Sequence, residues 1–512
     1  MMPLSETRKL GGILVEPAVT ASVPARVNYV VVGIGLNANL PAASMAPVDV
    51  GALSPVALID LVGEAVLRET LIVEILTAID GASQGWSNDA WPAWRATDVE
   101  ARGAILHKAA SLLRERAQEI GMLLTQEQGK PLPEAVGEVH GAAQMFDYYG
   151  EEAKRQGGRG LVRPTGQRSI VIPQPVGPTA TFTPWNFPIY LLAKKVAAAL
   201  AAGCTVISKP PEETPGCTGA MAKALDDAGI PKGVFQLVHG VPDTVSRHII
   251  GSPVIRKISF TGSTAVGKHL MKLAADGMKR ITMELGGHAP VLVFDDCDLD
   301  KTLDMLVPQK FRNAGQVCVS PTRFYVQEGI YDAFARGFAE RTAQVKIGNG
   351  LEAETRMGPL ANQRRLPAIV GLVEDARAKG ARVLAGGEPG DAGFFFQPTV
   401  LADVPNEAQA MNVEPFGPLA LMRSFKSEDE ALHEANRLPF GLAAFVFTEN
   451  GRRANRLGDG IESGMVGINT FAISSADAPF GGVKESGSGS EGGVEGLASY
   501  QVTKAKIGRA HV

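Results

Sequence analysis

The chain's 512 residues, 45% hydrophobic and 20% charged, carry a formal net charge of −4 from 50 basic and 54 acidic side chains; this is the make-up of a soluble globular protein of roughly two to four domains, with no electrostatic case for nucleic acid or an anionic membrane surface. No apolar run reaches about 18 residues, so no membrane span is expected, and the opening MMPLSETRKLGG has no apolar signal core. Four cysteines without a CxxC pair exclude a disulfide scaffold and give no zinc pattern, so a cytoplasmic protein with no metal is expected.

In chain order, KLGGILVE (Lys9 to Glu16) and NYVVVGIGLNANL (Asn28 to Leu40) read as strands, and 55–78 as an amphipathic helix with apolar residues three and four apart. RKLGGILVE and VVVGIGLNANL resemble adjacent strands of biotin protein ligases, with Lys9 where that family has a substrate-binding lysine. The ligases' Gly/Arg-rich phosphate loop and Trp-Pro-Asn-Asp segment are missing. Residues 1–80 are therefore expected to be an idle fragment rather than a biotin-handling domain. The terminal IGRAHV equals one reading frame of a sequencing adapter, so both ends are expected to be artefacts of assembly.

From about Trp91 the text becomes regular. Ile105, Ala109, Leu112, Leu113, Ala117, Ile120 and Leu124 make one helical stripe over 102–124, ended by Gly129-Lys130-Pro131. Strand-like runs follow at 169–173, 205–208, 235–240, 257–262 and 290–294, with helical text between most of them, as at 194–202 and 218–228. Such alternation predicts a parallel, doubly wound sheet that binds its ligand at the carboxyl ends of its strands.

Five segments carry chemistry. In FTGSTAVG, Gly262 and Gly267 flank a helix start where backbone can approach a phosphate; a tight strand–helix turn is the plain alternative. In TVISKPPEETP, Lys209 and Glu212 suit ribose hydroxyls, and the carboxylate disfavours a 2′-phosphate; a solvated charged loop is the alternative. In NAGQVCVS, Cys318 lies in a loop of small residues and is a candidate nucleophile, whereas Cys204, Cys217 and Cys297 read as inert. Glu284 of TMELGGHAP is a candidate general base for water or thiol. Asn186 of TPWNFP is a candidate oxyanion donor.

PWNFP, SKPPEETP, FTGSTAVG, MELGG, FRNAGQVC, EPFGP and PFGGVKESG stand in the order and spacing of the NAD(P)-dependent aldehyde dehydrogenases. The resemblance runs from about Trp91 to Lys504 and implies an α/β fold. Its parts would be a Rossmann-type NAD-binding domain (88–152 and 176–287), a catalytic domain (288–487) and a small β oligomerisation arm (153–175 and 488–505), the arm giving homodimers or homotetramers. It implies that Cys318 attacks an aldehyde, that Asn186 and the Cys318 N–H hold the oxyanion, that a thioester forms, and that Glu284 activates the water that cleaves it. The presence of Glu284 argues against relatives that pass the acyl group to CoA. Trp185, Lys209, Glu212, Gly262, Ser263, Gly267, Glu414 and Phe416 would line the site for NAD, with NADP possible. Arg312 and Ser474 match positions that bind the distal carboxylate of succinate semialdehyde, and Lys194 stands where that branch commonly has a second arginine. Asn469 matches a substrate-side position. Departures are His288 and Ser490, in place of a common lysine and arginine, and a missing opening segment of the family pattern. A catalytically impaired fusion is therefore the alternative reading.

Overall fold

The computed structural model describes residues 90–164 and 166–509, with three two-residue strands ahead of them: Lys9–Leu10, Ile13–Leu14 and Pro55–Val56. Pro55–Val56 opens the stretch read as a helix over 55–78, so that expectation fails at its first two residues. The rest of that stretch, the strand expected over 28–40 and residues 510–512 lie outside the described residues.

The stripe over 102–124 is cut in two. Helices Val99–Glu115 and Ala117–Gln128 meet at Arg116, whose φ/ψ of −96°/10° does not continue a helix. Asp98 caps the first of them by accepting the Glu100 N–H, and Gly129, at φ +96°, ends the second. The helix Pro188–Ala202 is buried almost all round and so shows no polar face. It starts on a proline, needs the left-handed Gly203 (φ +89°) to stop, and packs on the helix Leu132–Glu152 and on two strands.

Three main sheets result. The first has six strands in the order 487–488, 280–284, 257–261, 179–182, 206–209, 235–237, all parallel except the first pair. The second has seven, 382–385, 399–402, 419–425, 321–327, 289–293, 443–447, 465–468, again parallel except the first pair. The third is antiparallel, with Gln167–Pro175 between Gln501–Arg509 and Arg159–Leu161. The alternation alone predicts one doubly wound sheet, whereas the strands divide among three, with 169–173 in the antiparallel one as the expected arm has it. Only the strand Gln501–Arg509, which includes the suspected terminal residues Ile507–Arg509, joins the third sheet, whereas Gly487–Ser488 pairs with the first and Gly493–Ala498 is a helix. Among the described residues no helix is long and apolar enough to cross a membrane. In the six-stranded sheet, the carboxyl ends of parallel strands bring the segments of Asn186, Lys209, His239, Gly262 and Glu284 to one edge, where a doubly wound sheet takes its ligand.

Candidate active site

Cys318 stands between the helix Leu299–Phe311 and the strand Pro321–Gln327 of the seven-stranded sheet. The chain between them is strained: Asn313, Ala314 and Gly315 have φ of 48°, 53° and 69° in succession. Two non-glycine residues there cost on the order of 1–3 kcal/mol each, and persist only when neighbours over-determine them. They do. The Asn313 N–H donates to Glu134 Oε2 (3.0 Å), its side-chain oxygen accepts from Gln128 Nε2 (2.8 Å), and its amide donates to the Asn186 carbonyl (2.9 Å). Gln316 ties the loop to the Ala361 N–H at 3.0 Å. A Cβ on Gly315 would lie 2.1 Å from the Gly417 carbonyl, so only glycine fits.

Asn186 is buried, and its side-chain amide donates to the Gln316 carbonyl at 3.0 Å, two residues before Cys318. The second N–H of that amide has no protein acceptor among the described residues. Its own carbonyl is held by Lys130 Nζ at 2.7 Å. Lys130 is paired with Glu138 (2.6 Å), both fully buried, and the other Glu138 oxygen accepts the Ile189 and Tyr190 N–H groups at the start of the helix Pro188–Ala202. Asn186 is therefore aimed by a network that none of the local motifs reveals.

Glu284 ends the strand Arg280–Glu284, and neither carboxylate oxygen has a hydrogen-bond partner. Burial, reinforced by the charge of Glu491, holds its carboxyl well above the usual range; Lys194 and Lys195 oppose this. Cys318 is half-buried. Desolvation, then the charges of Glu414 and Glu284, pushes its thiol up to about 12, against the pull of Lys194. The resting sulfur is thus a neutral thiol in a pocket rich in carboxylates.

The Gly286-Gly287 pair brings the parts together. A Cβ on Gly287 would lie 2.7 Å from the Cys318 carbonyl; one on Gly286 would lie 2.5 Å from Glu414 Oε2 and 3.5 Å from Thr264 Oγ1, on the first residue of the helix Thr264–Ala275. The thiol loop and the glycine-flanked turn therefore meet. Glu414 accepts the Gly287 N–H at 3.2 Å, and desolvation raises its carboxyl to about 7. Trp185 and Phe416 make an edge-to-face pair with centroids 5.6 Å apart. Ser263 caps the helix Thr264–Ala275. At Gly262 and Gly267 a Cβ would lie 2.3 Å from the Phe260 ring and from a Leu285 methyl, so both also sit in close side-chain packing. Lys209 is buried and pairs with the half-exposed Glu212 at 2.7 Å.

The expected substrate group is placed less uniformly. Arg312 is exposed, lies over the Phe187 ring (5.1 Å) and makes no ion pair among the described residues. Ser474 is exposed and shares a hydrogen bond with the Tyr190 hydroxyl at 3.2 Å. Lys194 is not at the surface: it is 1% exposed, over Phe480 at 3.7 Å, with no hydrogen bond to its Nζ, and its charge acts on Glu284 and Cys318. The Asn469 amide is taken up by both backbone groups of Thr448. His288 is buried between Thr322 and the Ala410 carbonyl, each at 2.8 Å, a structural post for which a lysine is not needed.

The sequence reading missed the pair behind Glu284. Lys195 is buried, donates to Thr261 Oγ1 at 2.7 Å and pairs with Glu491, which also accepts from Ser259 Oγ at 3.0 Å. Adjacent lysines inside an otherwise apolar alanine-rich helix were the available signal.

A family model described as the aldehyde dehydrogenase family matches residues 75–506. The chain belongs to the aldehyde dehydrogenase family. It is an oxidoreductase of NAD(P)-linked type. The chain is 46% identical over 419 residues to a putative 4-(hydroxymethyl)benzenesulfonate dehydrogenase of Comamonas testosteroni (82% of this chain, 87% of that one). It is 44% identical over 429 residues to succinate-semialdehyde dehydrogenase [NADP(+)] of Escherichia coli (83% and 88%), and 45% identical over 415 residues to glutarate-semialdehyde dehydrogenase of Pseudomonas putida (81% and 86%). Among solved structures, the succinate-semialdehyde dehydrogenase of Burkholderia pseudomallei superposes with TM-score 0.81 at 43% identity (83% and 88%). An aldehyde dehydrogenase of Brucella melitensis gives 0.83 at 38% identity, covering 99% of each chain. The family match begins inside the stretch likened to biotin protein ligases, and no comparison supports that likeness; its span also counts against the impaired-fusion alternative.

Proposed function

We propose that this aldehyde dehydrogenase oxidises an ω-carboxylated semialdehyde, of which succinate semialdehyde is the first to test, to the dicarboxylic acid. The carrying observation is a half-buried thiol in a strained loop shared with a buried amide donor, beside an unpartnered buried carboxylate. Cys318 adds to the aldehyde carbon as its proton passes to water at the half-exposed sulfur, and the free Asn186 N–H and the Cys318 N–H hold the oxyanion of the thiohemiacetal, whose carbon would give its hydride to NAD(P)+ when bound and so become the thioester. Glu284 then takes a proton from water as that water attacks the thioester; the acid leaves and the thiol is restored. Removal of the Asn186 donor as Asn186→Ala is expected to cost about 10²–10³ in kcat, with the fold intact by circular dichroism; a loss under tenfold would remove the oxyanion role.

The residues fit NAD(P). The crevice at the strand ends, the capped helix start at Ser263, the Glu414 carboxylate steadied by Gly287 and the Trp185–Phe416 pair surround one cleft. When bound, NAD(P)+ supplies the hydride acceptor and a positive ring. Lys209 and Glu212 hold the adenosine ribose; since their charges cancel, the reading favours NAD, although one relative's name carries NADP(+). The antiparallel sheet built on Gln167–Pro175 is the surface for homodimers or homotetramers.

Arg312 carries the substrate reading, because an exposed guanidinium without an ion pair suits a bidentate carboxylate. Arg312→Ala is expected to raise KM for succinate semialdehyde about tenfold or more while leaving KM for an uncharged aldehyde of equal length unchanged. NADH absorbance with both substrates decides. Equal effects on the two would reject a carboxylate site.

A further inference from the structure

The helix Pro188–Ala202 carries two adjacent buried lysines whose surroundings differ. Lys195 is committed: its Nζ donates to Thr261 Oγ1 at 2.7 Å and pairs with Glu491. Lys194 Nζ is closed off from solvent and makes no hydrogen bond or ion pair among the described residues. What it touches is aromatic, with Nζ 3.7 Å from the Phe480 ring centroid and 5.3 Å from that of Tyr190. The residue after Phe480 leads to the site, since a Cβ on Gly481 would lie 3.3 Å from Glu284 Oε1. Both Glu284 oxygens are likewise closed off and without a hydrogen bond. A buried ammonium and a buried carboxylate thus share the wall Phe480–Gly481 without pairing. The chief charges that reach Glu284 are Glu491, Lys194 and Lys195; those that reach Cys318 are Glu414, Glu284 and Lys194. Lys194 is the cation common to both.

We infer that Lys194 is the counter-charge shared by the two reacting groups: its ammonium balances the Cys318 sulfur as the thiol gives its proton to water, and balances the ionised Glu284 carboxylate as that group activates water. A buried charge without compensation is costly, and an opposite charge nearby favours the ionised form. The pocket otherwise gathers like charges, Glu284, Glu414 and the developing thiolate, so one fixed cation serves each ionisation in turn. The Phe480 and Tyr190 rings hold the ammonium by their negative faces, which leaves its charge uncancelled. Lys194 is therefore a positioning residue that acts through Cys318 and Glu284, not a contact of the substrate's distal carboxylate. The inference rests on the reading of those two as nucleophile and base.

The test compares Lys194→Met and Lys194→Gln, which remove the charge, with Lys194→Arg, which keeps it. The first measurement is the rate at which iodoacetamide alkylates Cys318 in the whole protein without aldehyde, followed by mass spectrometry at about pH 8. The neutral variants are expected to react about tenfold more slowly, because less of the thiol is ionised, and the arginine variant within about threefold of the parent. The second is kcat against pH, with succinate semialdehyde and with an uncharged aldehyde of equal length. Loss of the cation disfavours the ionised carboxylate, so in the neutral variants the rising limb is expected to move up by about one pH unit, equally for both aldehydes. A merely structural lysine would move neither. Unaltered alkylation in a folded neutral variant overturns the proposal. So does an arginine variant as slow as the neutral ones, since shape rather than charge would then matter. If only KM for succinate semialdehyde rises, the ammonium is a substrate contact; the inference falls and the carboxylate reading stands. Should the methionine variant fail to fold, the glutamine and arginine variants decide in the same way.

Discussion

Cys318→Ala is expected to abolish NADH formation from every aldehyde, by about 10⁴-fold or more. The variant tests chemistry rather than folding. The left-handed turn at Asn313, Ala314 and Gly315 is held by Glu134, Gln128, Asn186 and Ala361, and none of those bonds involves the Cys318 sulfur. The loop therefore keeps its shape, and NAD affinity and melting temperature are expected to match those of the parent. Cys204 and Cys217 are buried away from the loop, and Cys297 lies ahead of the helix Leu299–Phe311, whereas Cys318 follows it. Turnover within tenfold of the parent would mean that the nucleophile lies elsewhere.

The second large effect separates the two halves of the reaction. In Glu284→Gln a rapid burst of NADH, about one equivalent per active site, is expected, followed by steady turnover slowed by about 10²–10⁴. Acylation survives because the thiol, Asn186 and the cofactor cleft are untouched; deacylation fails because the amide cannot take a proton from water. The pH profile supplies an independent sign. The carboxyl is held above its usual range, so its basic, ionised form grows as pH rises through that raised value. Parent kcat is expected to climb with pH over this limb, and the variant's residual rate is expected to be flat there. A rapid-mixing trace without a burst, or an unchanged limb, would take water activation away from Glu284.

The residues proposed to react stand out in the sequence because each sits in a short run whose composition is odd for its place. Cys318 lies among small residues, Glu284 precedes two glycines, and Asn186 stands between aromatic residues and prolines. What aims them was not legible. Lys130, Glu138, Asn313, Lys195 and Glu491 act over separations such as the 296 residues between Lys195 and Glu491, and no local pattern encodes such a pairing. Periodicity found most strands yet could not assign them, because an apolar β-branched run is the same text whether it belongs to the first, second or third sheet. The helix stripe was right in phase but blind to the break at Arg116, which shifts no residue off the buried face.

The far end of the chain closes the site. Gly487–Ser488 is the border strand next to Glu284's own, and Glu491 binds Lys195 from the first half of the sequence. During synthesis, then, the growing polypeptide carries its thiol, its amide donor and its carboxylate long before these can work as a set. Until the stretch beyond residue 486 has been made, the strand of Glu284 lacks its border partner and Lys195 its counter-charge. A chain cut between Cys318 and Gly487 keeps all three proposed reacting groups and is expected to form no NADH.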